Sequence, residues 1–275
     1  IYIPNFALGA SDNEGETISA PIMGSVHSDI HAIWINPREP RQILLGTDGG
    51  VYLSHDRGNH FFKIGCLPVS QFYHVYYDLE NPYQVYGGLQ DNGGWRGPSK
   101  SYEGFIKNKD WTPIGSGDGF HVIPHPSDPM IVYYTWQGGR LQRHNLRTHE
   151  AKDIQPLPTD EREPSYRYNW NAAVAVSPTN PEILYTGAQF LFKSTDRGDS
   201  WKKISPDLTT DDPQKQQQAK SGGLTIDDTT AENHCTIFTI AQSPLDENII
   251  WVGTDDGNLQ MTRDGGQVWA NRIQN

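Results

Sequence analysis

Two histidines and an aspartate stand at alternate positions in His27-Ser28-Asp29-Ile30-His31. On an extended strand, side chains alternate between faces, so His27, Asp29 and His31 would share one. Imidazole and carboxylate donors at that spacing suit Zn²⁺ or another transition metal. One short strand cannot wrap an ion tetrahedrally, so a further ligand would have to come from elsewhere. The same residues equally suit the innermost strand of a water-filled channel, where polar side chains are tolerated without a role. Asp29 has a second candidate chemistry: with Asp118 it could act as acid and base in glycoside hydrolysis, given the carboxylate separation that reaction needs. The alternative for that pair is a solvated channel mouth in a binding protein. A third set, Gln71, His74, Gln90, Asp91, Asn92, Trp95, His121, Trp136 and Trp170, combines aromatic faces for ring stacking with amides and carboxylates for directed hydrogen bonds. That is the make-up of a carbohydrate platform. Acidic turns such as those at Asp48, Asp91, Asp255 and Asp256 could hold Ca²⁺ through oxygen ligands. Glycine-rich turns use Asp and Asn for conformational reasons alone, and no stretch has EF-hand spacing. No motif demands a cofactor; Zn²⁺ and Ca²⁺ are the ions these donors would suit.

The elements that must position these residues are read from a repeat. Ser54 to Phe61, Ser194 to Trp201 and Thr262 to Trp269 share the frame hydroxyl, x, Asp, x, Gly, x, x, aromatic. The short carboxylate can accept backbone N–H groups of its own turn, Gly supplies positive φ, and the aromatic pins the hairpin by burial. Around these boxes runs a rhythm of short apolar runs and Pro- or Gly-marked turns, with a period of roughly 40–50 residues and four strands expected in each unit. Anchored on Pro40, Pro82, Pro129, Pro181 and Glu247, it predicts five blades at about 27–66, 67–115, 116–158, 168–205 and 233–275. Residues 1–26 are expected to be a loop or a strand closing a neighbouring blade. The expected class is all-β, a β-propeller of four-stranded antiparallel blades, with a larger propeller of which these are a part as one form of it. Only 212–220 is compatible with a short helix. The alignment puts Asp29, Gln71, Asp118, Trp170 and Thr236 at one level of the inner strands, and His74 with His121 at a second.

Composition narrows the partners. A formal charge of −11 in 275 residues argues against nucleic acid, which needs a basic face. No apolar run approaches the roughly 20 residues of a membrane span. Cys66 and Cys235 make no disulfide framework or metal pair and are expected to be buried free thiols. Ile1 and the absence of a leader-like stretch suit a mature or excised chain. Ile273 to Asn275 stops as a fourth strand begins, so the expectation is a chain that continues or closes unusually.

The boxes resemble the Asp-box, or bacterial neuraminidase repeat. Leu45 to Tyr52, Gly88 to Trp95 and Ser205 to Thr210 are similar to large exported bacterial proteins of glycosyl-hydrolase-like type, with sortilin-type propellers as distant relatives. The resemblance implies a propeller and an extracellular or periplasmic location. It also implies that boxes lie on the bottom face, while second-to-third-strand turns and blade-to-blade connections share the top. The long insertions at 155–167 and 205–233 then belong to the top, and 96–110, which replaces a box, to the bottom or side. Function follows less directly, because such repeats occur in hydrolases and non-catalytic receptors alike. A sialidase would need a triple-arginine cluster and an Arg-Ile-Pro motif; Arg96, Arg140 and Arg167 exist, but the motif does not. The reading that results is an exported, non-catalytic scaffold binding a protein or polysaccharide on its top face. Its alternative is a xyloglucanase-like glycoside hydrolase, completed by a second propeller domain or partner chain.

Overall fold

The computed structural model describes residues 1–19, 24–67, 69–160, 162–163, 165–220 and 229–273. It forms two compact units, Ile1–Gln71 and Phe72–Asn275. In the first, β1 (Tyr2–Ile3) pairs with β2 (Gly9–Ala10), and a four-stranded antiparallel sheet follows: β3 (Ile30–Ile35), β4 (Ile43–Thr47), β5 (Gly50–Ser54) and β6 (Phe62–Lys63). Leu8 and Tyr2 from the N-terminal segment cover one face of this sheet, packing with Ile30, Ile43, Leu45, Tyr52 and Phe61.

The second unit holds four sheets of the same plan, each in simple sequential order. They are β7 (Phe72–Tyr77), β8 (Gln84–Leu89), β9 (Gly94–Pro98) and β10 (Thr112–Ile114); β11 (Val122–His125), β12 (Asp128–Trp136), β13 (Arg140–Asn145) and β14 (Glu150–Asp153); β15 (Val174–Val176), β16 (Leu184–Gly187), β17 (Leu191–Ser194) and β18 (Lys202–Lys203); and β19 (Ile237–Gln242), β20 (Ile250–Thr254), β21 (Leu259–Thr262) and β22 (Ala270–Asn271). The described residues therefore contain five four-stranded antiparallel blades and one small sheet, an all-β propeller-type architecture. Apolar seams join successive blades of this unit. Tyr86, Ile114, Val122, Val132 and Tyr134 fill one. Ile123, Tyr133, Leu141, Ile154, Val174 and Leu184 fill the next, and Tyr185, Leu191, Leu208, Ile237, Ile250 and Val252 the last.

The three boxes are near-identical in detail. Ser54, Ser194 and Thr262 each donate to the Asp two residues on, at 2.9, 2.7 and 2.7 Å. Each hydroxyl also accepts the N–H of the Gly four residues on, at 2.8, 2.8 and 3.0 Å. Two consecutive residues take positive φ, Arg57 and Gly58, Arg197 and Gly198, Gly265 and Gly266. The first of each pair donates its N–H to the first-to-second-strand turn of its own blade: Arg57 to Arg41, Arg197 to Glu182, Gly265 to Asn248. Boxes and Pro-marked turns therefore share one end of their sheets.

The box aromatic does more than pin its own hairpin. Trp201 Nε1 donates to the Ile154 carbonyl at 2.6 Å and Trp269 Nε1 to that of Ile204 at 3.1 Å, each in the preceding blade. A Cβ on Gly198 would lie 2.5 Å from Ile154 Cδ1, so the glycine there answers to close approach as well as to φ.

Two expectations are modified, and part of a third lies outside the described residues. Residues 212–220 form no α-helix; only a 3₁₀ turn spans Gln218–Lys220. Cys235 is buried, but Cys66 is exposed, because it lies in the turn after β6 rather than under a sheet. Of the insertions and the C-terminal stretch, residues 161, 164, 221–228 and 274–275 fall outside the described residues.

Candidate functional site

The site grows from the start of the inner strand of one blade, β7, and from the lead-ins to the inner strands of the next two, β11 and β15. Tyr73-His74 opens one, Phe120-His121 the next and Trp170-Asn171 the third. The aromatic members form one layer. The Tyr73 and Phe120 ring centroids are 4.6 Å apart, and Trp170 meets Phe120 edge-on at 6.2 Å. Trp170 also hydrogen-bonds the Tyr73 side chain. The polar members form the layer beneath. His74 and His121 stack at 4.1 Å with planes 10° apart, and Asn171 Nδ2 lies 3.0 Å from His74 Nε2.

Burial sets the electrostatics of the lower layer. His121 is held down to about 3, by desolvation first and then by the neighbouring His74. His74 is also lowered, by desolvation. Tyr76 Oη lies 2.5 Å from His121 Nδ1. Burial pushes that phenol up to about 12, so it stays protonated and is the donor. His121 therefore carries its proton on Nε2. The Tyr73 phenol is raised by burial and by the Asp118 and Asp91 carboxylates, against the lowering bond from Trp170.

Asp118 is buried and fully engaged beside this layer. Its Oδ1 accepts the Asp91 N–H at 2.7 Å and its Oδ2 accepts Gln137 Nε2 at 3.0 Å. It thereby ties together the β8–β9 turn, the lead-in to β11 and the turn after β12. Backbone bonds from Gly93 to Gly117, Gly119 to Leu89 and Gly138 to Trp170 do the same. Second-to-third-strand turns and blade-to-blade connections thus meet at the end of these sheets opposite the boxes.

The candidates from the sequence fall as follows. His74, His121, Trp170 and Asp118 come together, with Asp91 beside them. Asn92 Nδ2 donates to the Gln90 carbonyl within the β8–β9 turn, so these two serve the turn's conformation. Trp95 donates to the Asn92 carbonyl, but register pairs it with Gly87 and Val75, on the face of the sheet away from His74 and Tyr76. Trp136 stacks on Tyr134 at 5.5 Å with the Arg140 guanidinium over its ring. Gln71 is exposed at the end of the first unit. Tyr73, Phe120 and Asn171 were missed, although an aromatic–polar dipeptide repeats at or just ahead of the start of three first strands.

In the first unit, the single-face expectation for His27, Asp29 and His31 fails for a backbone reason. The strand begins only at Ile30, Asp29 sits at φ +60°, and the register slips between Ile30 and Ala32, leaving His31 in a bulge. His27 Nδ1 contacts the Ser28 carbonyl at 3.1 Å, Asp29 Oδ2 accepts Ser28 Oγ, and His31 Nε2 meets Asp48 at 2.7 Å. Among the described residues no three His, Cys, Asp or Glu side chains converge to hold an ion. Asp29 belongs to one unit and Asp118 to the other. The three arginines serve separate partners: Arg96 the Tyr86 hydroxyl, Arg140 the Trp136 ring, and Arg167 the Asp207 and Asp211 carboxylates.

No family model and no curated protein matches the chain. Solved structures similar to it include a GH74 xyloglucanase from Xanthomonas campestris, at 17% identity and TM-score 0.43, covering 95% of this chain and 41% of that one. YCF48 bound to D1 peptide is similar at 13% and 0.44, covering 99% and 78%. The extracellular domain of a putative hybrid two-component system from B. thetaiotaomicron is similar at 15% and 0.45, covering 100% and 33%. The chain spans under half the length of the xyloglucanase and a third of the sensor.

Proposed function

We propose that the chain is an exported, non-catalytic binding scaffold that holds a protein or glycan partner on the face carrying Tyr73, Phe120 and Trp170. The observation that carries this reading is the aromatic layer itself, in which the fully buried Phe120 backs the partly exposed Tyr73 and Trp170 rings, with the turns that carry Asp91 and Gln137 beside them. Stacking faces beside directed polar groups suit a planar or ring-bearing ligand. A hydrolytic role for Asp118 is disfavoured, because both its oxygens are engaged in tying turns together. The test is capture on arrays of glycans and peptides by the intact chain and by Trp170→Ala. A loss of about tenfold or more in affinity is expected for whatever ligand is found. Binding indifferent to Trp170, or release of sugar from a polysaccharide panel that Asp118→Asn abolishes, would overturn the reading.

A further inference from the structure

The three residues beneath the aromatic layer are joined to it through the chain. Each aromatic is followed directly by a member of the polar layer, so one peptide unit joins each pair across the two layers. We propose that His74, His121 and Asn171 form a proton-sensitive seat for the aromatic layer, in which protonating His74 turns Asn171 over and displaces Trp170. This goes beyond the binding reading and requires no ligand.

The geometry of the neutral state is specific. Asn171 presents its Nδ2 to His74 Nε2, which must then offer a lone pair. Asn171 Oδ1 is buried without a hydrogen-bond partner. Once His74 gains a proton, Nε2–H faces Nδ2–H and the contact becomes donor against donor. The amide must rotate to present Oδ1, which leaves its NH₂ where the unpartnered oxygen stood, with no acceptor. The flat stack offers no relief, because an imidazolium 4.1 Å from His121 gains nothing from a neutral ring already fixed by Tyr76 and by the Thr135 hydroxyl on its backbone N–H.

The groups facing the pair are Tyr73 and Tyr76 from β7, His121 from the lead-in to β11, and Asn171 from the lead-in to β15. Among the described residues no carboxylate, lysine or arginine acts on either ring. The Asp118 and Asp91 carboxylates act on Tyr73 rather than on either ring, so no acid is paired with the new charge and the seat yields by moving. His74 is the first site of uptake, being half-buried where His121 is almost wholly enclosed.

The test uses the whole chain labelled with fluorotryptophan, the Trp170 fluorine resonance being identified by its loss in Trp170→Phe. Histidine ring protons and fluorine signals are followed together from about pH 7.5 to about pH 4.5. The expected result is a Trp170 shift that tracks the His74 ring with one shared midpoint, below the ordinary 6.5. In His74→Gln, which keeps a neutral amide at that place, the Trp170 signal should stay fixed over the same range. A Trp170 resonance that ignores His74 titration, or that moves equally in His74→Gln, overturns the proposal. Should that variant not fold, separate midpoints for His74 and Trp170 in the unsubstituted chain overturn it alone. No ligand enters the measurement, so a failure of the binding reading is distinguishable from a failure here.

Discussion

Replacing His121 by Phe should remove a defined part of the acid sensitivity of folding. The imidazole is enclosed against His74 and held near 3, whereas in the unfolded chain it returns to its ordinary 6.5. The native value is depressed, so the stabilisation is fully present above 6.5 and is lost as pH falls from 6.5 towards 3. At pH 5 an unfolded histidine is about 97% protonated and the buried one about 1%, which by linkage costs the native state about 2 kcal/mol relative to pH 8. His121→Phe forgoes the bond from Tyr76 and leaves that buried phenol unpaired, a cost of about 1–3 kcal/mol. Because Tyr76 stays neutral throughout the range, that cost does not vary with pH. Urea unfolding at pH 8 and pH 5 separates the two effects. The variant should begin less stable yet lose about 2 kcal/mol less on acidification than the unsubstituted chain. Equal losses in both chains would show that the ring is hydrated or already charged in the native state, and the two-layer description would be wrong.

Other expectations can be checked with simpler measurements. Gly198→Ala combines a φ of +90° with a Cβ 2.5 Å from Ile154 Cδ1, and should cost about 2–4 kcal/mol in urea unfolding. Trp201→Phe keeps the ring but drops the bond to the Ile154 carbonyl, and should cost about 1 kcal/mol by the same measurement. Arg167→Ala removes the partner of Asp207 and Asp211, and the donor to the Cys235 carbonyl. Limited proteolysis should then cut within 205–220 faster than in the unsubstituted chain, while blade-core protection is kept. A thiol reagent should label Cys66 alone in the native protein, and Cys235 only after unfolding.

The blade plan was legible in the sequence because it is written locally. A hydroxyl, an aspartate and a glycine in the box make their bonds within a few residues of one another, so their spacing is their structure. The pairing of His74 with His121 was legible for a related reason, since both stand eight residues before the proline of their blade and the intervening strands are equivalent. Trp170 was placed one level off. Aligned on Pro181 it matches Asp118 and Gln71, but its ring lies with Phe120 and Tyr73, because that blade has two more residues between the aromatic and the proline. The shared face imagined for His27, Asp29 and His31 rested on strand alternation reaching back to His27. A left-handed aspartate and a bulge ended it, and neither has a reliable mark in a single sequence.

Why the box motif and the candidate site occupy opposite ends of a blade follows from what each must satisfy. The box couples to its own blade through the first-to-second-strand turn, and to the preceding blade through the aromatic at its end. Both partners lie where blades are wedged together, so nearly every polar atom of the box has a fixed structural use. At the other end, glycine-bearing turns, the Asp118 carboxylate and backbone bonds such as Gly93 to Gly117 and Gly138 to Trp170 hold neighbouring blades without calling on the aromatic and imidazole side chains beside them. Those side chains are therefore available to form layers of their own, an aromatic one above a titratable one. A substitution at Tyr73 or Trp170 should accordingly change recognition at little cost to the blades, whereas one at Gly198 or Trp201 should loosen the blades before it affects any ligand.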